Sequence, residues 1–361
     1  MPRVNSPKTP PDLGTTGASG QNRSHQLRRS RGVTGVSGLK RTTEKNMMIF
    51  SGRAHPELAD EVAQILDQQL VPTEAREFAN GEIYIRYEES VRGCDAFVLQ
   101  SHTTPINEWI VEHLIMVDAL KRASAKRITV VMPFWGYSRQ DKKHRGREPI
   151  SARLMADLFK TAGADRIITV DLHADQLQGF FNGPVDHLMA LPILTDYIKS
   201  KYGDQELAVV SPDAGRIKVA ERWAARLGGV PLAFIHKTRR TDVANEVVAN
   251  RVVGDVKGRM CVLTDDMIDT GGTIVKAAEA LMAEGAAGVI IAATHAILSD
   301  PAVDRLKNCS ATEVVITNTL PVPPEKQFDK LTTLSIAPLV ARAIREVFED
   351  GSVTSMFDGH A

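Results

Sequence analysis

Residues 261–273 read Cys261-Val262-Leu263-Thr264-Asp265-Asp266-Met267-Ile268-Asp269-Thr270-Gly271-Gly272-Thr273. The apolar opening is a short, β-favouring run, so residues 260–264 are predicted to form a strand. Residues 273–283 place apolar side chains at helical spacing and stop at Gly285, so a helix follows. Strand, loop and helix in that order mark an α/β protein, and in open α/β sheets ligands bind beyond the carboxyl ends of the strands. Gly271-Gly272 lets backbone N–H groups turn toward an anion with no Cβ in the way. Thr270 and Thr273 add hydroxyl donors, and the helix behind them presents its positive end. Together these groups make a phosphate cradle.

The acids beside the cradle, Asp265, Asp266 and Asp269, are unfavourable there unless they bind hydroxyls or a metal. Ribose 5-phosphate meets both requirements, with a phosphate at one end and 2- and 3-hydroxyls near the other. A solvated acidic turn with a glycine cap is the bland alternative. No G-x-x-x-x-G-K-[ST] occurs, so the P-loop route to a nucleotide is absent.

The same alternation spreads outward. Residues 106–123 carry a helical pattern opened by Thr104-Pro105, with Pro expected at the first helical position. Strands are predicted over 127–134, 166–170, 207–210, 231–235 and 289–294. Helices are predicted over 150–162, 215–227 and 339–348. Largely parallel sheets flanked by helices follow from this order. The halves are expected to meet near residues 184–192.

Composition narrows the class. The 361 residues are 43% hydrophobic and 24% charged, as in an ordinary globular chain of about two domains. The 44 basic and 44 acidic residues balance, but residues 1–46 hold nine Lys/Arg against two Asp/Glu. The remainder is slightly acidic, which argues against nucleic acid as a partner. No apolar run approaches the roughly 18 to 20 residues needed to span a bilayer. Cys94, Cys261 and Cys309 are far apart and odd in number, which fits core packing in a reducing cytoplasm. Residues 1–46, rich in Ser, Thr, Gly, Pro and Arg, are expected to be a disordered extension. A transit peptide, or a true start at Met47 or Met48, are the other readings.

Five further segments carry chemistry-bearing side chains. His173 and its acidic neighbours follow the strand at 166–170 and could hold a hydrated Mg²⁺ bridging phosphates, although a lone His is more often structural. Asp213 follows the strand at 207–210 and reads either as a metal carboxylate or as an acid at a helix start. Arg139, Lys142 and Lys143 follow Pro133-Phe134-Trp135-Gly136 and could neutralise a triphosphate or simply be solvated. Phe78-Ala79-Asn80-Gly81-Glu82 has the turn chemistry of a β-hairpin corner. Lys237-Thr238-Arg239-Arg240 is, by itself, a basic loop.

Residues 265–273 resemble the phosphoribosyl diphosphate loop of the phosphoribosyltransferase fold. The form is similar to that of ribose-phosphate diphosphokinases, also called phosphoribosyl pyrophosphate synthetases. The likeness runs from about Met48 to Met356-Phe357. It implies two phosphoribosyltransferase-like domains, residues 47–189 and 190–361, each a mostly parallel sheet flanked by helices. The implied reaction moves the diphosphate of ATP onto C1 of ribose 5-phosphate. By resemblance, His173 and Asp213 bind the Mg²⁺ cofactor, and Arg139 and Gln140 contact ATP. Phe78, Asn80, Gly81 and Glu82 reach the adenine in a neighbouring subunit's site. Lys237 and Arg239 match the family's catalytic flexible loop. Arg239, Asp265, Asp266, Asp269, Thr270, Gly271, Gly272 and Thr273 match the ribose 5-phosphate site. The resemblance also implies a homohexamer regulated by phosphate and ADP. Two positions depart from the pattern: Asn80 stands where Asp is frequent, and Arg216 where a second Gly is common. A phosphoribosyltransferase that consumes phosphoribosyl diphosphate would use the same cradle without the other motifs. A non-catalytic regulatory relative would have lost them.

Overall fold

The computed structural model describes residues 45–238 and 249–357. Residues 1–44 and Arg239 lie outside the described residues, and of Lys237 only the backbone is described.

The first half runs β1 (Met47–Ser51), α1 (Pro56–Ile65), β2 (Thr73–Glu77), β3 (Ile83–Tyr87), β4 (Asp95–Leu99), α2 (Ile106–Arg122), β5 (Arg127–Met132), α3 (Ser151–Ala162), β6 (Arg166–Val170) and β7 (Val185–Leu188). Its sheet has the order β1-β4-β5-β6-β7, parallel throughout. Strands β2 and β3 stand apart as an antiparallel ribbon. At its corner Gly81 takes φ 86°, which only glycine adopts freely.

The second half runs α4 (Leu191–Tyr202), β8 (Leu207–Ser211), α5 (Ile217–Arg226), β9 (Leu232–Thr238), β10 (Ala249–Val253), β11 (Met260–Ile268), α6 (Gly272–Ala283), β12 (Gly288–Ala296), α7 (Ala302–Asn308), β13 (Glu313–Thr317), β14 (Leu331–Leu334) and α8 (Ala337–Phe348). Its sheet has the order β10-β9-β8-β11-β12-β13-β14, and only the edge strand β10 is antiparallel. All nine residues of β12 are buried, as expected of a central parallel strand covered on both faces.

Each sheet has its own core, around Phe159 and Trp135 in the first half and Leu281 and Ile291 in the second. A third cluster joins Ile49, Leu58 and Ile168 to Val209, Val262 and Val340. Burying such aliphatic side chains stabilises by about 1.5–3 kcal/mol each, so the two halves are held together by shared apolar surface. Helix α8 packs on α1, and the Arg345 guanidinium donates to the Ile65 carbonyl at 3.3 Å.

Several local expectations change, and Lys237-Thr238, expected in a basic loop, instead close β9 in register with Asn250 and Ala249. Strand β11 continues to Ile268 instead of ending at Thr264, because its partner β12 is long enough to pair Asp265 with Ala293 and Ile268 with Ala296. The helix expected from residue 215 begins at Ile217, after a tight turn over Ala214–Arg216 whose Gly215 N–H is capped by Asp213. Pro105 precedes α2 as its N-cap residue instead of occupying its first turn.

Candidate active site

Four parallel strands deliver their carboxyl ends to one cleft. Arg139 comes after β5, His173 after β6, Asp213 after β8, and residues 269–273 after β11. Together with Arg216 they line a cavity of about 340 Å³. The phosphate cradle and the residues matched to nucleotide and metal therefore face the same space, although His173 and Arg139 belong to the first half of the chain.

The cradle has the backbone that its glycines predict. Gly271 takes φ 73° as the N-cap of α6, a conformation costly for any residue with a Cβ. Helix α6 then starts at Gly272 and carries no acid in its first turn, so its positive end meets the cleft uncompensated. From α7, the Arg305 guanidinium donates to the Thr270 carbonyl at 2.9 Å and fixes the loop from outside. A Cβ at Gly272 would come within 3.3 Å of that guanidinium, so a larger residue there would push the clamp aside by a few tenths of an ångström.

Beside the cradle is a partly buried charge cluster. His173 Nδ1 lies 2.7 Å from Asp266 Oδ2. Arg216 reaches Asp266 Oδ1 at 2.9 Å, Asp265 Oδ1 at 3.3 Å and His173 Nδ1 at 3.0 Å. Burial, and then the negative charge of Asp266, push the Asp265 pKa up. Burial also opposes ionisation of Asp266, but the hydrogen bond from His173 and the Arg216 charge outweigh it, and its pKa falls. The two neighbouring carboxylates are thus pushed in opposite directions.

At the front of the cleft, Asp269 Oδ2 lies 2.6 Å from Arg139 Nη1. Burial raises the Asp269 pKa, but hydrogen bonds from Ser299 and Arg139 exceed that effect and hold it below the usual carboxylate range. Asp213 Oδ1 accepts from Gly215 N at 2.8 Å, and Asp213 Oδ2 has no partner among the described residues. His173 Nε2 likewise has none among them. Among the described residues no group of three or more His, Cys, Asp or Glu could hold a metal by itself. One imidazole nitrogen and one carboxylate oxygen do fit an ion that takes its remaining ligands from water and phosphate, the usual habit of Mg²⁺.

The other matched residues lie elsewhere. Gln140 Oε1 accepts from Ser151 Oγ at 2.7 Å, and Gln140 lines a neighbouring cavity that shares Arg139 and Asp269 with the cleft. Phe78, Gly81 and Glu82 line a separate hollow on the β2–β3 ribbon beside α2, with Phe78 44% exposed. Asn80 Oδ1 accepts from Glu82 N at 3.2 Å. Within one chain these hairpin residues do not join the cleft. Lys237 pairs through its backbone with Asn250 at the end of β9, next to the strand that delivers Asp213.

Comparison with known proteins identifies the family. Residues 47–163 match the model of the N-terminal domain of ribose phosphate pyrophosphokinase, and residues 243–358 match the phosphoribosyl synthetase-associated domain. A ribose-phosphate pyrophosphokinase of Streptomyces coelicolor is 68% identical over 323 residues, covering 90% of this chain and 99% of the relative. The chain belongs to the ribose-phosphate pyrophosphokinase family. A member from Mycobacterium tuberculosis is 67% identical over 317 residues, 88% of this chain and 97% of its own length. The crystal structure of phosphoribosylpyrophosphate synthetase from Mycobacterium smegmatis, 65% identical, superposes with a TM-score of 0.81 over 85% of this chain and 100% of that one. The family's two matched segments leave His173 and Asp213 between them, and geometry alone brings those residues to the cleft.

Sequence reading missed two contributors. Arg216 was visible only as a departure from the family's glycine, with nothing local to indicate that it meets three partners. Arg305 reads as an ordinary basic residue in the last turn of a helix. Its contact with Thr270 spans 35 residues and leaves no local pattern.

Proposed function

We infer that this chain is a ribose-phosphate pyrophosphokinase, converting ATP and ribose 5-phosphate into 5-phosphoribosyl 1-diphosphate and AMP. One observation carries the reading: the anion cradle of residues 270–273 shares a single cleft with His173, Asp213 and Arg139. Family membership at 68% identity over nearly the whole relative supports it.

In this reading the α6 N-terminus, Thr270 and Thr273 bind the 5-phosphate, and the acids of β11 and its loop face the sugar hydroxyls. Arg139 and Gln140 hold ATP, and Arg139 exchanges its Asp269 partner for phosphate oxygens. The anomeric hydroxyl attacks the β-phosphorus. The bond from that phosphorus to the oxygen bridging the α-phosphorus breaks, AMP departs with that oxygen, and the hydroxyl proton is released. Such a transfer depends mainly on positioning and charge neutralisation, so no covalent enzyme nucleophile is required. Lys237 and Arg239 supply positive charge to the transferring group. His173 and Asp213 hold Mg²⁺. When bound with the nucleotide, that ion neutralises phosphate charge.

The halves correspond to domains 47–189 and 190–361, and the β2–β3 hairpin, with Phe78, Asn80, Gly81 and Glu82, completes the adenine site of a second copy in a homohexamer. A cytoplasmic setting agrees with three buried free cysteines. Among the described residues no helix is long and apolar enough to cross a membrane. The deciding experiment mixes the purified chain with ATP, Mg²⁺ and ribose 5-phosphate and follows AMP by chromatography. AMP formed without any nucleobase supports the assignment. No AMP, or turnover only when a nucleobase and phosphoribosyl diphosphate are supplied, overturns it.

A further inference from the structure

We propose that Asp266 is a positioning residue for His173, fixing the imidazole in the tautomer whose Nε2 is unprotonated and open to a divalent cation, while Arg216 holds Asp266 in place. The inference rests on the function proposed above and narrows the part Asp266 plays in it, from sugar ligand to support of the metal-binding imidazole.

The hydrogen-bond inventory of the cluster leads there. His173 Nδ1 has two polar neighbours, Asp266 Oδ2 at 2.7 Å and Arg216 Nη2 at 3.0 Å. A ring nitrogen can serve one of them: it donates to the carboxylate or accepts from the guanidinium. If it accepted from Arg216, its lone pair would face the Asp266 carboxylate at 2.7 Å in a partly buried site, a repulsion that donation to the carboxylate avoids. If it donates to Asp266, Arg216 loses nothing, because Nη2 already has Asp266 Oδ1 at 2.9 Å and Nε has Asp265 Oδ1 at 3.3 Å. Nδ1–H therefore points to Asp266, and in a neutral imidazole the lone pair falls on Nε2. A metal-bound histidine commonly donates its other N–H to a carboxylate in this way, which orients the ring and makes it a better ligand.

The same contacts leave Asp266 little capacity for substrate. Both of its oxygens are engaged, and its side chain is 7% exposed, against 20% for Asp265 and 27% for Asp269. Sugar hydroxyls meet the latter two more readily. Arg216, entering from the turn before α5, supplies the fixed charge that lets two adjacent acids be buried together.

The test uses the full-length chain and Asp266→Asn, with Mn²⁺ as a spin probe and α,β-methylene-ATP, in which the scissile bridge is blocked. The Asn amide can offer N–H to Nδ1 and so favours the opposite tautomer. We expect the variant to weaken Mn²⁺ binding by roughly 10- to 100-fold, as loss of a supporting partner of a metal ligand does, with calorimetric ribose 5-phosphate affinity within about threefold. Unchanged Mn²⁺ affinity, or loss of ribose 5-phosphate binding instead, overturns the proposal. A second measurement needs no variant: tautomer-resolved ¹⁵N NMR of His173 in the wild-type chain should show a protonated Nδ1, and a protonated Nε2 would refute it. If the wild-type chain makes no AMP, the enzyme assignment fails separately, while the tautomer still decides the role of Asp266.

Discussion

Arg139 Nη1 sits 2.6 Å from Asp269 Oδ2, so one ion pair joins the loop after β5 to the loop after β11. In the proposed reading the pair links the nucleotide side of the cleft to the sugar side. Arg139 is 52% exposed, and an ion pair that open to water contributes at most about 1 kcal/mol to stability. Its value in that reading lies in the charge that it can turn toward phosphate.

Arg139→Ala should therefore separate stability from activity. Unfolding free energy in urea should change by less than about 1 kcal/mol. A charge-assisted hydrogen bond contributes about 1.5–3 kcal/mol, so kcat/KM for ATP should fall by roughly 10- to 150-fold. A variant with unaltered ATP kinetics would remove Arg139 from the nucleotide site.

Gly271→Ala probes the cradle. The new Cβ would meet Ala302 at 3.5 Å, which is ordinary contact, so steric space is not the obstacle. The obstacle is φ 73°, where an L-residue is disfavoured by about 1–2 kcal/mol. The loop should relax away from that conformation, raising KM for ribose 5-phosphate several-fold and lowering Tm by a few degrees. Normal ribose 5-phosphate kinetics would mean that the backbone of Gly271 does not shape the anion site.

Much of this arrangement is legible along the chain because it is local. The apolar run before Asp265 and the Gly271-Gly272 pair announce a strand, a loop and a helix within 25 residues. The true end of β11 is not local, since acids continue a strand only when a neighbour such as β12 carries the ladder past them. Long-range chemistry is still harder to see. His173 and Asp266 are 93 residues apart, and Arg216 sits between them in sequence without any pattern that couples the three. Family resemblance named His173 and Asp266 separately, but only the fold shows that they touch.

Lys237→Ala tests the end of β9. Lys237 stands at the end of β9, beside the strand that delivers Asp213, and by family resemblance its ammonium meets the transferring group. A charge that acts mainly in the transition state lowers kcat when removed and leaves ground-state binding nearly intact. Turnover should fall by at least about 10²-fold while ribose 5-phosphate affinity changes only a few-fold. Steady-state kinetics with calorimetric binding would show this, and unaltered turnover would exclude the role.

Glu313 sets an acid limit on the second half. It is buried on β13, where Tyr202 donates to Oε2 at 2.6 Å and Tyr197, Lys201 and Thr332 converge on Oε1. Burial alone would raise its pKa, but the hydrogen bonds from Thr332, Tyr197, Tyr202 and Lys201 outweigh burial and hold it at about 2, against an ordinary 4.5. Because the folded value is the lower one, the stabilisation is present above pH 4.5 and drains away as pH falls toward 2. At 1.36 kcal/mol per pH unit the whole effect is about 3 kcal/mol. Glu313→Gln removes the titrating group while keeping its shape, so the variant should be less stable at pH 7 yet lose less than wild type between pH 5 and pH 3. Urea denaturation across that window measures the difference. Parallel losses in the two chains would show that the ties from α4 to β13 do not govern acid stability.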